Sequence, residues 1–443
     1  MALVCREMRE NTRDNGQDIA LAVERNQGYS YVYKTRIYKD GTGHDEENCK
    51  FIDRIAKTLL WVAGGYKITV AGSKVVGEYV KNTFCHGGTR DFDARFMERV
   101  YERPFEVVIT DLEHAPQEKS SASPVGKHLD GCRIGFDAGG SDRKVSAVVN
   151  GETVYSEEVV WFPKLNADPN YHYEGILSAM KTAASHMPRV DAIGVSSAGV
   201  YIDNKIMVAS LFIKVNDEDF EKTVKNMYID VAREIGENIP IEVANDGDVT
   251  ALAGAMSLED NGILGIAMGT SEAAGYVDMD GNITGWLNEL AFAPVDYNEG
   301  AMVDEWSGDY GCGVKYFSQD GVIKLAPYAG IELDENLSPA EKLKVVQNLM
   351  KEGDERAKAI YETIGAYFGY SLAYYAEFYD IKHVLIMGRV TSGEGGEILL
   401  SKAREVIATE FPELNERMTL NIPDEKARRV GQSVAAASLP KIR

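Results

Sequence analysis

The sequence has few of the residues that cross-link a fold or bind metal. Among its 443 residues are only 5 cysteines and 7 histidines. The cysteines stand singly and form no CxxC pair, at Cys5, Cys49, Cys85, Cys132 and Cys312. An odd number without a framework is typical of a reducing cytoplasm rather than of a secreted disulfide scaffold. His86 follows Cys85, but adjacent side chains on a strand point to opposite faces, so this pair is a poor metal chelate.

The sequence also lacks an excess of basic residues and any long apolar run. It has 47 lysines and arginines against 69 aspartates and glutamates, a formal net charge of -22. Phosphate backbones and anionic membranes attract clustered Lys and Arg, so we expect neither nucleic acid nor a membrane as partner. No apolar run approaches the roughly 18 residues of a membrane span, and the first residues are too charged for a secretory signal. We therefore expect a cytoplasmic protein.

A polar stretch rich in serine, residues 113–131, is the clearest linker in the chain. It predicts a small α/β domain over 1–115, followed by two lobes over 132–248 and 249–443. Strand-like stretches dominate the N-terminal domain, and one helical stretch is visible in it. We identify neither a helix-turn-helix nor clustered basic residues there. The sequence leaves the role of this domain open.

Two stretches about 130 residues apart share one plan. Each has an apolar strand, a turn of small residues with a hydroxyl, and a second apolar strand. The turns are AGGS at 138–141 and MGTS at 268–271. Internal repetition of this kind predicts two similar lobes that face each other across a central cleft.

The first turn combines groups suited to phosphate. Gly139, Gly140 and Ser141 form it, with Asp137 before it and Lys144 beyond it. Glycine lets a backbone approach an anion closely, and successive backbone N–H groups form an anion-binding concavity. Asp137 could hold Mg²⁺, directly or through water.

An ordinary glycine hairpin is the alternative explanation, and it is favoured when the first turn is taken alone. The second turn, with Gly269, Thr270 and Ser271, has the same weakness by itself. Two such turns at matching positions in a repeated unit shift the balance, because two facing hairpins could clamp one triphosphate.

A third candidate, Asn245-Asp246, follows the predicted strand IPIEVA at 239–244. Asp246 lies at the carboxyl end of that strand and at the start of a predicted helix, where ligands gather in α/β folds. Aspartate is also a preferred helix N-cap. We expect one of Asp246 and Asp248 to cap the helix, which leaves the other for chemistry. A carboxylate beside a substrate hydroxyl can accept its proton as the oxygen attacks phosphorus.

With these segments in order, the chain resembles the acetate/sugar kinase, heat-shock chaperone and actin superfamily. Within it, residues 131–443 are similar to the ROK family of repressors and sugar kinases. DAGGS and GTS resemble its two phosphate motifs, AND at 244–246 its catalytic segment, and VLIMGRV at 384–390 its adenosine motif. The resemblance implies that Asp246 is the general base, that Asn245 contacts the sugar, and that Gly388 and Arg389 lie at the adenosine. In VSSAGV, Ala198 stands where the family has proline.

Two further segments extend the resemblance and depart from it. NELAFAPV at 288–295 resembles the family's GEIGHMPV, which implies that Glu289 binds sugar hydroxyls. Phe292 replaces the family's histidine, and it could stack on a sugar or belong to the core. GCGVKYFS at 311–318 resembles the end of the family's zinc motif, but only Cys312 remains of its cysteines. Structural zinc needs about four N or S ligands, so we predict no zinc site.

The resemblance implies an α/β fold of two duplicated ribonuclease H-like lobes of the actin and hexokinase type, with a small N-terminal α/β segment. The function it implies is ATP- and Mg²⁺-dependent phosphorylation of a sugar or sugar-like hydroxyl, in a homodimer. A catalytically inactive sugar or nucleotide sensor is the alternative that the lost zinc motif favours. A DNA-binding regulator is a third possibility, and the negative charge and the lack of a helix-turn-helix argue against it.

Overall fold

Helices and strands are interspersed along the N-terminal segment of the computed structural model, which describes residues 1–119, 125–423 and 425–442. The elements are α1 (Ala2–Thr12), β1 (Gly16–Glu24), β2 (Ser30–Tyr38), α2 (Asp45–Val62), β3 (Lys67–Ala71), α3 (Lys74–Thr83), α4 (Asp91–Tyr101) and β4 (Glu106–Thr110). Strands form a sheet in the order β2-β1-β3-β4. The prediction that strands dominate this segment is wrong. Helix α2 alone has 18 residues, and its many β-branched and aromatic side chains concealed it because they favour strands in isolation.

A five-stranded sheet organises the next part of the chain. Its elements are β5 (Cys132–Ala138), β6 (Asp142–Val149), β7 (Glu152–Val160), α5 (Pro169–Ser185), β8 (Ala192–Ser197), β9 (Val200–Ile202), β10 (Lys205–Val208), α6 (Asp217–Asp219), α7 (Met227–Ile235), β11 (Ile241–Asn245) and α8 (Asp246–Leu258). The strand order is β11-β8-β5-β6-β7. Strand β8 is parallel to β5 and β11, whereas β6 is antiparallel to β5 and β7.

The remaining elements include the second repeat. They are β12 (Ile263–Met268), β13 (Glu272–Val277), α9 (Gln319–Leu325), α10 (Pro339–Lys351), α11 (Glu355–Tyr375), β14 (His383–Met387), α12 (Glu394–Glu410), α13 (Pro412–Asn415), β15 (Thr419–Asn421) and α14 (Glu425–Ala437). Their strands lie in the order β13-β12-β14-β15. Helix α10 begins with a capping box, in which Ser338 and Glu341 bond reciprocally.

Helix α14 packs on the five-stranded sheet at unusually close range. Strand β5 is buried at every position, with α5 and α14 both in contact with it. A side chain at Gly135 would collide with the backbone of Ser433, and one at Gly194 with that of Ala436. Glycine is therefore required on β5 and β8 for the helix to approach.

The chain divides into two compact units. One consists of Met1–Ser121, Ile266–Ala274 and Gly285–Ile422, and the other of Ala122–Gly265, Gly275–Thr284 and Pro423–Arg443. We call them the first and the second unit. The domain boundaries predicted from the sequence remain predictions, and residues 120–124 of the predicted linker lie outside the described residues. Among the described residues, no helix has both the length and the apolar character needed to cross a membrane.

Candidate functional site

Three strand ends bring the predicted residues of the second unit together. Asp137 on β5 is paired in register with Ser196 on β8, and Asn245 at the end of β11 is paired with Ser197. Because these three strands are parallel, their carboxyl ends lie at one edge of the sheet, which is the usual position of ligands in such folds.

Asp137 is a buried carboxylate with defined partners, and its residue is only 5% exposed. The hydroxyl of Ser196 donates a 2.8 Å hydrogen bond to Oδ1, and Nζ of Lys144 lies 3.8 Å from Oδ2. Burial raises the pKa of Asp137 to about 6, against the opposing effects of Ser196 and Lys144. Asp246 adds to the rise in pKa because its negative charge is near. The group is thus ionised at neutral pH but takes up a proton in mild acid.

The Gly139–Ser141 turn joins β5 to β6 and is anchored through its carbonyl groups. Trp161 donates its indole N–H to the carbonyl of Gly139 at 2.7 Å and its backbone N–H to that of Ser141 at 3.1 Å. The hydroxyl of Ser141 bonds to Oδ2 of Asp142 at 3.1 Å. The turn is therefore held in a fixed conformation by the residue that follows β7.

Asn245, and neither aspartate, caps helix α8. Its Oδ1 accepts the N–H of Gly247 at 2.7 Å, and its Nδ2 donates to the carbonyl of Gly199 at 2.8 Å. Asp248 is buried and accepts the backbone N–H of Tyr276 at 3.0 Å. The expectation that Asp246 or Asp248 caps the helix is therefore wrong. Asparagine caps as well as aspartate, and the end of β11 places it one residue earlier.

Asp246 begins α8 at the same edge of the sheet. Its Oδ1 accepts the N–H of Gly247 at 3.1 Å. Burial raises the pKa of this carboxyl, and the nearby positive charge of Lys164 opposes the shift. Asp246 therefore lies at a strand–helix junction on the edge of the sheet where ligands gather in α/β folds.

Two residues of this region were not predicted from the sequence to belong to the site. Lys164 lies in a short 3-10 helix, Pro163–Leu165, and its Nζ would be 3.3 Å from a Cβ atom placed on Gly140. It thus lies beside the glycine turn and near Asp246. Gln432 on α14 points Nε2 toward Ser196 Oγ at 3.3 Å and the carbonyl of Asp246 at 3.5 Å. Neither residue belongs to a recognisable local pattern.

The first unit brings together the second turn and the segment at 388–389. The guanidinium of Arg389 donates a 2.6 Å hydrogen bond to the hydroxyl of Thr270. Gly269 donates its N–H to the carbonyl of Ser271 at 2.9 Å. Gly388 has a φ of 103°, and a side chain there would collide with the backbone of Met268, so only glycine fits this crossing.

A basic pocket adjoins Arg389. Its volume is about 380 Å³, and its lining includes Lys344, Lys351, Gln347 and Ser392. Nε2 of Gln347 donates to the carbonyl of Arg389 at 2.7 Å, which fixes the pocket to the 388–389 segment. The lining has three cations, Lys344, Lys351 and Arg389, and one carboxylate, Glu341. This excess of positive charge suits an anionic ligand.

Glu289 is held by its backbone at the start of a short 3-10 helix, Leu290–Phe292. Its N–H donates to the carbonyl of Trp61 at 2.9 Å. The ring of Phe292 lies 4.3 Å from that of Trp61 and 5.6 Å from that of Phe92, measured between centroids. Phe292 is thus a half-buried member of an aromatic cluster with Trp61 and Phe92.

The surroundings of Cys312 do not fit zinc. Its thiol lies 3.7 Å from the carbonyl of Asp309, and burial raises its pKa to about 11, so the metal-binding thiolate is disfavoured. Asp309 is bound by Arg54, Lys57 and Arg90, which place positive charge where a cation would be needed. In the part of the chain that the structure describes, no cluster of three or more His, Cys, Asp or Glu is arranged to hold a metal.

Comparison with known proteins places the fold. No protein-family model matches the sequence, and no curated protein matches it. A solved ROK-family transcriptional regulator, a homologue of the E. coli MLC protein, has a TM-score of 0.55 at 17% identity, covering 70% of this chain and 79% of its own. A ROK hexokinase from Thermus thermophilus has a TM-score of 0.52 at 18% identity, covering 69% of this chain and 97% of its own.

These similarities confirm the predicted fold class. The chain has the α/β fold of ROK-family proteins, a group whose solved members include a sugar kinase and a transcriptional regulator. At sequence identities below 20% the similarity establishes a shared fold, and a shared fold does not by itself establish a shared activity.

Proposed function

We propose that the protein transfers the γ-phosphoryl group of ATP to a hydroxyl of a sugar or related polyol. The observation that carries the proposal is the arrangement around Asp246. This carboxylate has a raised pKa, begins a helix at the carboxyl edge of parallel strands, and lies near Asp137, the glycine turn and Lys164. Phosphoryl transfer requires a base, a site that binds the phosphate oxygens and a nearby positive charge. Asp246, the glycine turn and Lys164 would supply them.

In the proposed reaction, Asp246 accepts the proton of the acceptor hydroxyl as its oxygen forms a bond to the γ-phosphorus. The bond from that phosphorus to the bridging oxygen breaks, and ADP leaves with the electron pair. Lys164 and the Gly139–Ser141 turn stabilise the negative charge on the phosphoryl oxygens. Asp137 suits Mg²⁺, which usually takes one or two protein carboxylates with phosphates and water and neutralises phosphate charge. Ser196 and Lys144 keep that carboxylate ionised.

Residues of the first unit have proposed roles of their own. Arg389 and the Gly269–Ser271 turn would bind nucleotide phosphate, and the basic pocket lined by Lys344 and Lys351 would bind the rest of the nucleotide. Glu289 would orient the acceptor hydroxyls. A cytoplasmic location and a homodimeric state are further parts of this proposal.

A sugar or nucleotide sensor without turnover is the second candidate. Solved proteins of the same fold include a transcriptional regulator, and both atoms of the Asn245 side-chain amide bond to the backbone, at Gly247 and Gly199. Binding without phosphorylation distinguishes this candidate from a kinase.

The test is a panel of sugars and polyols with the purified protein, Mg²⁺ and ATP, with ADP release as the readout. We expect one class of sugar to raise ADP release above the rate with ATP alone, and the sugar phosphate to appear in equal amount by mass spectrometry. ATP binding without sugar-dependent ADP release across the panel would instead support the sensor.

A further inference from the structure

Six charged side chains are buried together in the first unit. Each side chain is at most 9% exposed, and three are positive and three negative. They come from α2, from the start of α4 and from a loop near residue 310, and we call them the buried ion cluster: Asp53, Arg54, Lys57, Arg90, Asp93 and Asp309. Five are in or next to helices of the N-terminal segment, whose role the sequence left open.

Asp309 is the centre of the cluster. It is bound by Arg54 at 2.8 Å, Lys57 at 3.0 Å and Arg90 at 2.7 Å. Burial alone would raise the pKa of Asp309, but the three cations outweigh it and hold the pKa well below its usual value. Arg90 also pairs with Asp53. The loop at 309 is thus bound to α2 through ionised groups from which water is excluded.

The cluster is continuous with the backbone that carries Glu289. Lys57 lies 3.3 Å from Asp93, and Asp93 also accepts the indole N–H of Trp61 at 2.6 Å. The end of α2 then contacts the 288–292 segment directly. The carbonyl of Trp61 accepts the N–H of Glu289 at 2.9 Å, and that of Val62 accepts the N–H of Asn288 at 3.0 Å.

A second connection reaches the same segment from the other side. Arg54 donates to the carbonyl of Tyr310 at 2.6 Å. The residues that follow pair with the 293–295 stretch: Gly313 donates to Ala293 at 3.0 Å, and Val295 donates to Gly311 at 2.8 Å. Segment 288–295 is therefore held by two partners, α2 and the 309–313 stretch, which the buried ion cluster joins to each other.

A buried ion cluster is a costly way to obtain stability, because apolar side chains of similar volume often stabilise a core as well or better. What it supplies instead is a fixed geometry, since each charge must keep its partners. We propose that the N-terminal segment positions Glu289 for substrate, through the buried ion cluster and the end of α2, with Lys57 as a positioning residue. Its consequence for catalysis rests on the proposed role of Glu289.

The test compares the full-length protein with its Lys57→Met variant by hydrogen–deuterium exchange. Loss of Lys57 removes a contact to both Asp93 and Asp309. We expect exchange in peptides covering 286–295 to accelerate by about tenfold or more, because their amides are bonded to the end of α2. With an accepted sugar, we expect its KM to rise by about 10- to 100-fold while the KM for ATP is unchanged. Arg95→Met, which removes an exposed pair on α4, is the matched control and should alter neither quantity.

If Lys57→Met does not fold, Lys57→Met/Asp93→Asn replaces it. This variant removes one charge of each sign and keeps an oxygen for the indole of Trp61, and the same exchange and KM results are expected. Unchanged exchange over 286–295 in a folded variant would overturn the proposal. Faster exchange in a protein that phosphorylates no sugar would support the positioning and refute only the proposed function.

Discussion

The hydroxyl of Ser196 donates a 2.8 Å hydrogen bond to Oδ1 of Asp137, across two parallel strands of the same sheet. This bond stabilises the ionised form of a carboxyl whose pKa burial raises to about 6. The bond therefore helps to keep Asp137 negative at neutral pH, which is the charge state that its proposed role at Mg·ATP requires.

Replacing Ser196 by alanine should move the pH dependence of Mg·ATP binding. Without the hydrogen bond the pKa of Asp137 rises further, so affinity should be lost at higher pH than in the parent. A hydrogen bond to a charged group is worth about 1.5 kcal/mol, which corresponds to a midpoint higher by about one pH unit. Binding measured by calorimetry between pH 5 and 8 gives the midpoint.

Ser146→Ala is the control for that variant, because Ser146 is a buried serine of the same sheet that bonds to Ser433. Its midpoint should equal that of the parent. Equal midpoints in all three proteins would mean that Asp137 does not govern nucleotide binding.

Replacing Lys164 by methionine should shift the pH–rate profile. The charge of Lys164 opposes the rise in the pKa of Asp246, so its loss should raise that pKa and move the acidic limb of kcat to higher pH. The loss of a cation near the proposed position of the phosphoryl group should also lower kcat by about 10²-fold or more. Steady-state rates measured as a function of pH distinguish these two effects.

Lys181→Met, at an exposed position on α5, is the control and should leave the pH–rate profile unchanged. A pH–rate profile of Lys164→Met identical to that of the parent would exclude the proposed role of Lys164.

Replacing Glu272 by glutamine should stabilise the protein increasingly as pH rises. Glu272 is 3% exposed, and within the described part of the chain neither of its carboxyl oxygens has a hydrogen-bond partner. Burial and the charge of Glu289 raise its pKa well above the usual value. Above about pH 4.3 the unfolded chain ionises while the folded protein keeps the proton, so the cost of this group to stability grows with pH until the folded pKa is reached.

The cost grows by about 1.4 kcal/mol for each pH unit in that window. Glutamine has no such cost, so the Glu272→Gln variant should gain over the parent between pH 5 and pH 8 in denaturant unfolding. Glu355→Gln, on an exposed side chain, should show no such trend. A gain that is independent of pH would show that Glu272 is ionised in the folded protein.

The sequence located the parts of the site that depend on local pattern. Strand–turn–strand and strand–helix junctions placed Asp137, Gly139–Ser141 and Asp246 at strand ends, where the structure has them. The choice of N-cap failed because asparagine and aspartate have nearly equal preferences. Asn245 is the N-cap because β11 ends at this residue and the helix begins at the next one.

Contacts between segments that are distant in the chain could not be predicted from the sequence. Arg54 and Asp309 are separated by 255 residues, and neither residue belongs to a local pattern that names its partner. Lys164 reaches the glycine turn only because a 3-10 helix follows β7. These positions depend on the tertiary arrangement, which one sequence does not specify by periodicity.

The most direct test of the account is Asp246→Asn. Once a sugar is identified, kcat for sugar phosphorylation should fall by about 10²- to 10⁴-fold, because asparagine cannot accept the proton. The affinity for Mg·ATP should be unchanged, since Asp246 is proposed to act on the acceptor hydroxyl. Asp230→Asn, at a half-exposed ion pair of the same unit, should keep full activity. Full activity in Asp246→Asn would contradict the assignment of the base and, with it, the proposed mechanism.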